Sequence, residues 1–183
     1  MNTFTKTLLV SALLTLSASA QSLPGAFQQL LDQTSMQFSM PPDFQAASIV
    51  NNEDVGYDFA VRSNTGDIEI RYRIWPIDKT QKNPNNLYEP MITTMGLNIS
   101  NGKVIQLERY PADGLKSEFG ADAGCTGLVP IDSQFGKGFK LCVISVIHKD
   151  NIADAYVFYL YNDPKTIMSA LSTGNVFHAL KFK

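Results

Sequence analysis

Phe139-Lys140-Leu141-Cys142-Val143-Ile144-Ser145-Val146-Ile147-His148-Lys149-Asp150-Asn151-Ile152-Ala153-Asp154-Ala155-Tyr156-Val157-Phe158-Tyr159-Leu160-Tyr161 is the stretch that decides the fold. It contains two long β runs, residues 139–148 and 152–161, and Lys149-Asp150-Asn151 between them suits a hairpin turn. Neither run alternates cleanly. Leu141, Val143 and Ile147 oppose Cys142, Ile144 and Val146; Tyr156, Phe158 and Leu160 oppose Ala155, Val157 and Tyr159. Strands that are apolar on both faces must be covered on both faces. The rest of the chain has to supply that cover.

Three segments have the spacing to do so. Phe27, Leu30, Leu31 and Thr34 share one face of a short helix that Pro24 opens. Leu87, Met91, Met95 and Ile99 fall four apart, with Tyr88 and Ile92 beside them. Asn86 stands as N-cap, Pro90 lies in the first turn and Asn101-Gly102 follows the end. The last helix has a full set of boundary signals: Asp163 as N-cap, Pro164 at its first position, Ile167, Met168 and Leu171 on one face, and Gly174 past its end.

Further strands read upstream. Ile68, Ile70, Tyr72 and Ile74 line one face of the clearest of them, and Glu69, Arg71, Arg73 and Trp75 the other. A tight connection at residues 63–67 joins it to an alternating run at 57–61, and residues 51–54 form a polar turn before that. Met36 to Met40 alternates and stops at Pro41-Pro42, as a short edge strand does. Residues 104–107 read as a short strand, 111–119 as a helical turn and 179–183 as a closing strand. The expectation is an α+β fold, a largely antiparallel sheet sandwiched between helices (an α/β/α sandwich), in one domain spanning residues 21–183.

Residues 1–20 read as a secretory signal. Lys6 supplies the positive region, the nine residues from Leu8 to Leu16 the apolar region, and Ala18-Ser19-Ala20 the cleavage site. A run of nine is too short to cross a bilayer, which needs about 20 apolar residues. Gln21 leaves no thiol for lipid attachment, and no later stretch of the sequence is apolar enough to span. An exported protein, periplasmic or secreted, is therefore expected. The formal charge of −2 becomes −3 when Lys6 leaves with the signal. That balance argues against nucleic acid as the partner, since nucleic-acid-binding domains carry a basic excess.

Export bears on Cys125 and Cys142, because two cysteines in one small exported domain most simply form a disulfide. If residues 125–129 and 139–143 are antiparallel neighbours with Leu128 facing Phe139, Cys125 faces Cys142 within bridging range. There is no Cys-x-x-Cys to suggest a redox pair. The only histidines, His148 and His178, lack the close ligand pairs of zinc motifs. No metal or cofactor is expected.

The two ends carry a resemblance. Met36-Gln37-Phe38-Ser39-Met40-Pro41-Pro42-Asp43-Phe44 resembles the Phe-x-x-Pro-x-Gly-Phe/Trp opening of PsbP-like and Mog1-like domains, with Asp43 where a glycine often sits. Ala179-Leu180-Lys181-Phe182-Lys183 is similar to their closing strand. The resemblance implies an antiparallel sheet sandwiched by helices and a binding or assembly role. It transfers no functional residue.

Chemistry is sparse. There is no Gly-x-Ser-x-Gly elbow, and neither Gly136-Lys137-Gly138 nor Gly120-Ala121-Asp122-Ala123-Gly124 matches a phosphate-binding fingerprint. His148 reads as a hairpin residue, and Glu118, Asp122 and Asp113 as solvated acids. An enzyme would have to draw on His148, Glu118 and Asp122. Arg71, Arg73 and Trp75 are the candidates for partner binding: if their face meets solvent, the arginines grip an anionic partner and Trp75 anchors it. The plainer alternative is that their stems pack beneath a helix and the charges pair among themselves. The residues thus point to a small exported non-enzymatic domain that binds a protein partner or small ligand. An enzyme with an unrecognised site, or an envelope-assembly factor, is the alternative.

Overall fold

The computed structural model describes residues 22–51, 55–103 and 105–183. The expected signal, the turn at 52–54 and Val104 lie outside the described residues. The first helix, α1 (Gly25–Gln33), buries Phe27 and Leu31 as its spacing requires. The chain continues through β1 (Met36–Phe38), β2 (Phe44–Ala46), β3 (Phe59–Ser63), β4 (Ile68–Pro76) and α2 (Tyr88–Ile99). Next come β5 (Leu107–Arg109), a one-turn α3 (Ala112–Gly114) running into a π-turn at Leu115–Phe119, β6 (Ala123–Pro130) and α4 (Ser133–Gly136). The two decisive runs are β7 (Leu141–Lys149) and β8 (Ala153–Tyr161), followed by α5 (Pro164–Ser172) and β9 (Leu180–Phe182).

Seven strands form one antiparallel sheet in the order β2-β3-β4-β8-β7-β6-β5, so the strand with every residue buried, β8, stands in the middle. β1 pairs with β9 in a separate two-stranded ribbon, Met36 opposite Phe182 and Phe38 opposite Leu180. The resemblance at the two ends of the chain is thus a single structural unit. Asp43, standing where the family often has glycine, takes a left-handed φ of 62°; aspartate tolerates that conformation better than most residues.

Two cores flank the sheet. On one side Ile70, Tyr72, Val157 and Tyr159 meet α1, α5 and the β1–β9 ribbon. Phe27 stacks on Phe59 at 4.8 Å, and Phe38 sets its edge against Phe59 and Tyr72 at 5.4 and 5.2 Å. On the other side Ile92, Met95 and Ile99 of α2 cover Ile144, Val146, Tyr156 and Phe158. This is the α/β/α sandwich. Asp163 caps α5 by accepting from the Lys165 N–H at 3.0 Å, as its boundary signals indicate. In α2 the cap differs: Leu87 takes the N-cap position with no side-chain bond, because Pro84–Asn86 curl into a 3-10 turn ahead of it.

The cysteine pairing needs correction. β6 and β7 are antiparallel neighbours, but Leu128 faces Val143, so Cys125 lies opposite Val146 and Cys142 opposite Val129. Four residues of stagger put the two thiols about 13 Å apart along the strands, beyond the reach of a bridge. Both cysteines are free and buried. The cause is α4, a helical turn that Asp132 caps by accepting from the Phe135 N–H at 2.8 Å. It occupies Ser133–Gly136 in the connection between β6 and β7, and β7 begins at Leu141 rather than Phe139. Burial pushes the Cys125 thiol up to about 11, and Cys142 higher still. Alkylation in the absence of reductant should therefore modify neither cysteine in the native protein and both after denaturation. A denatured, unreduced chain that takes up no label would restore the disulfide.

Candidate functional site

Strand β4 runs from the covered middle of the sheet out past the edge of that cover, and its second face changes character along the way. Arg71, at 1% exposure, is buried. Its Nε and Nη2 donate to Glu69 at 2.8 and 2.7 Å, and its Nη1 donates to the Phe135 carbonyl at 2.7 Å. The guanidinium lies over the rings of Tyr57 and Phe135, at 4.9 and 4.6 Å. Arg71 is therefore spent inside the fold, where its charge joins α4 to the sheet. Four residues on, Trp75 is 40% exposed. Arg73 lies between them in the sequence, half-buried, with its guanidinium over the Trp75 ring at 4.9 Å. Of the three candidates, the structure brings Arg73 and Trp75 together and sets Arg71 apart.

Sheet register then builds a row across three strands: Trp75 lies opposite Asp154, and Asp154 opposite His148. His148 and Asp154 are 2% and 4% exposed. His148 Nδ1 lies 2.6 Å from Asp154 Oδ1, and Nε2 lies 3.0 Å from Asp150 Oδ1. A ring flanked by carboxylates on both nitrogens satisfies both by donating twice, as the imidazolium. Burial opposes the charge on His148, but the hydrogen bonds to Asp154 and Asp150 outweigh it and hold the pKa above the ordinary value. The Tyr156 hydroxyl donates to the second Asp154 oxygen at 3.2 Å. From α2, Tyr88 stacks on the imidazole at 4.9 Å.

Trp75 and Met91 together separate two adjoining pockets. One, of about 160 Å³, has Trp75, Tyr156, Asp154, Asp78, Leu87 and Met91 in its wall. The other, of about 170 Å³, includes Arg73, Gly56 and Met95. The wall of the first is held firmly. The Asn151 N–H donates to the Asn85 side chain at 2.9 Å, pinning the loop before α2 to the β7–β8 turn. Asp78 accepts from the Thr80 N–H and hydroxyl at 2.9 and 2.7 Å, and these bonds hold its carboxyl below the usual range.

Of the residues weighed for an enzyme, Asp122 lies beside His148, its N–H donating to the His148 carbonyl at 2.8 Å, and Glu118 is engaged elsewhere. Glu118 pairs with His178 at 2.7 Å. Asp122 sits 3.4 Å from Lys116 and accepts the Asp150 N–H at 3.1 Å. His148 has no nitrogen left to take a proton from a substrate. Among the described residues no group of three or more His, Cys, Asp or Glu is placed to hold a metal ion, and no helix is long and apolar enough to cross a membrane.

Read from sequence alone, Asp154 has no role, and Tyr156, Leu87 and Met91 fall on strand and helix faces. One signal was present: Asp154 is the lone acid in an otherwise apolar run, and a buried strand keeps a carboxylate only with a partner. Its partner is cross-strand, so finding it required the hairpin register.

No protein-family model matches the chain, and no curated protein matches it by sequence. Among solved structures, the solution structure of cyanobacterial PsbP (CyanoP) from Synechocystis sp. PCC 6803 is similar to it. That match has a TM-score of 0.50 at 14% identity and covers 82% of this chain and 88% of the other. The chain has a PsbP-like fold. At that identity the likeness is one of architecture.

Proposed function

We propose that this chain is a non-enzymatic binding domain of PsbP-like fold, exported after loss of residues 1–20, that receives a small ligand in the pocket beside Trp75. The carrying observation is Trp75 itself. The only tryptophan in the chain stands 40% exposed between two adjoining pockets, at the end of the strand that leads out of the core. An apolar wall with a few fixed polar groups is the usual makeup of a ligand site. Asp154, the buried acid in its wall, is committed to His148 and Tyr156, which favours holding a molecule over transforming it.

A broader groove of about 550 Å³, lined by Leu128, Met168 and Phe177, lies on the opposite face of the sheet. No buried charged group lines it, so it offers less to orient a ligand. Mapping a fragment library by amide NMR decides between the two. Shifts should concentrate on Trp75, Leu87 and Met91; hits confined to Leu128, Met168 and Phe177 would overturn the assignment. The export half of the proposal has its own test. The amino terminus of the native protein should be Gln21, and a chain that retains Met1 would contradict it.

A further inference from the structure

We propose that the pocket beside Trp75 selects a small organic cation, a quaternary ammonium or a protonated amine. The inference rests on taking that pocket as the ligand site and adds the chemical class it accepts.

The lining supplies aromatic and apolar surface from Trp75, Leu87 and Met91, with Pro76 and Pro84 beside them and the buried Tyr156 behind. Its charged residues are Asp154 and Asp78, and no lysine, arginine or histidine is among them. Aromatic faces joined to carboxylates attract a cation and repel an anion. Asp154 and Asp150 share one imidazolium, His148, at 2.6 and 3.0 Å, so that trio carries a net negative charge even with His148 protonated. Asp78 adds a second negative charge at the rim, fixed by its two bonds from Thr80.

Arg73 is the cation nearest to Trp75. It lines the neighbouring pocket and not this one. Its guanidinium, 4.9 Å from the indole centroid, shows that this ring already seats one cation. A volume near 160 Å³ suits a head group of modest size; an apolar protein cavity of about 150 Å³ accommodates benzene. The class is therefore compact onium groups, and long polyamines are too large.

Isothermal titration of the mature chain with three molecules of one shape and different charge tests the proposal: choline, its neutral isostere 3,3-dimethylbutan-1-ol, and 3,3-dimethylbutanoate. Choline should bind at least about tenfold more tightly than the neutral isostere, and the anion should bind more weakly than either. Asp78→Asn alters an exposed rim residue without disturbing the core. It should weaken choline several-fold and leave the alcohol unchanged. Asp154→Asn should weaken choline further; if that variant fails to fold, Asp78→Asn alone carries the test. Equal binding of alcohol and choline, or preference for the anion, would overturn the cation assignment while leaving the pocket in place. No heat with choline would overturn it as well, and fragment mapping onto Trp75, Leu87 and Met91 then decides separately whether the pocket is a site at all.

Discussion

Replacing Arg71 with alanine is expected to lower the unfolding free energy by about 3–5 kcal/mol, the range for removing one partner of a buried ion pair. Glu69, itself buried, would keep only Arg62, whose Nε stands 3.4 Å away on a half-buried side chain. The Phe135 carbonyl would lose its donor, and two aromatic rings would lose the plane they pack on. A loss of this size is a large part of the 5–15 kcal/mol that holds a typical domain together. Urea denaturation followed through the tyrosines and Trp75 measures it. The double change Arg71→Met with Glu69→Leu removes both charges and should recover most of the loss. If Arg71→Ala unfolded at the wild-type urea concentration, Arg71 would not be the buried structural cation described above.

His148→Ala should have a similar effect, about 3–5 kcal/mol, because Asp154 would stay buried with only the Tyr156 hydroxyl as partner. This variant also isolates a pH dependence. The folded-state pKa of His148 lies above its ordinary 6.5, owing to Asp154 and Asp150 acting against burial. A group raised in the folded state adds stability that is fully present below the unfolded pKa and is lost as pH rises through the folded one. The gap in melting temperature between wild type and variant should therefore be widest below about pH 6.5 and narrow as the solution is made more alkaline. A gap that held constant from pH 5 to 9, or widened, would show that His148 is not held as an imidazolium.

What sequence could and could not supply follows from the range of the interactions. The two-faced apolar pattern of β7 and β8 demanded cover on both sides, and the structure places α2 on one side and α1 and α5 on the other. Asp163, Pro164 and Gly174 marked α5 because caps are local, and the alternation of β4 put Ile70 and Tyr72 opposite Arg71 and Arg73. Register was not local. Cys125 and Cys142 missed each other by four residues because Asp132 and Phe135 start a helical turn within a polar, glycine-bearing loop. Exposure along one strand face was not local either. Arg71 and Trp75 share a face, but Phe135 and Tyr57 cover only the first, and both come from elsewhere in the chain. The His148–Asp154 pair was hidden for the same reason, being adjacent across strands and six apart in sequence.

The uniqueness of Trp75 allows a direct test of the central claim, that its pocket holds a ligand without transforming it. Chain labelled with 5-fluorotryptophan has its single fluorine in the wall of that pocket. The small-molecule fraction of a periplasmic or extracellular extract can then be added while the fluorine resonance is followed. The account predicts a saturable shift of that resonance, with the bound molecule recovered chemically unchanged when the protein is denatured. A resonance that stays still while amides around Leu128 and Met168 move, or a component of the fraction consumed catalytically, would contradict it.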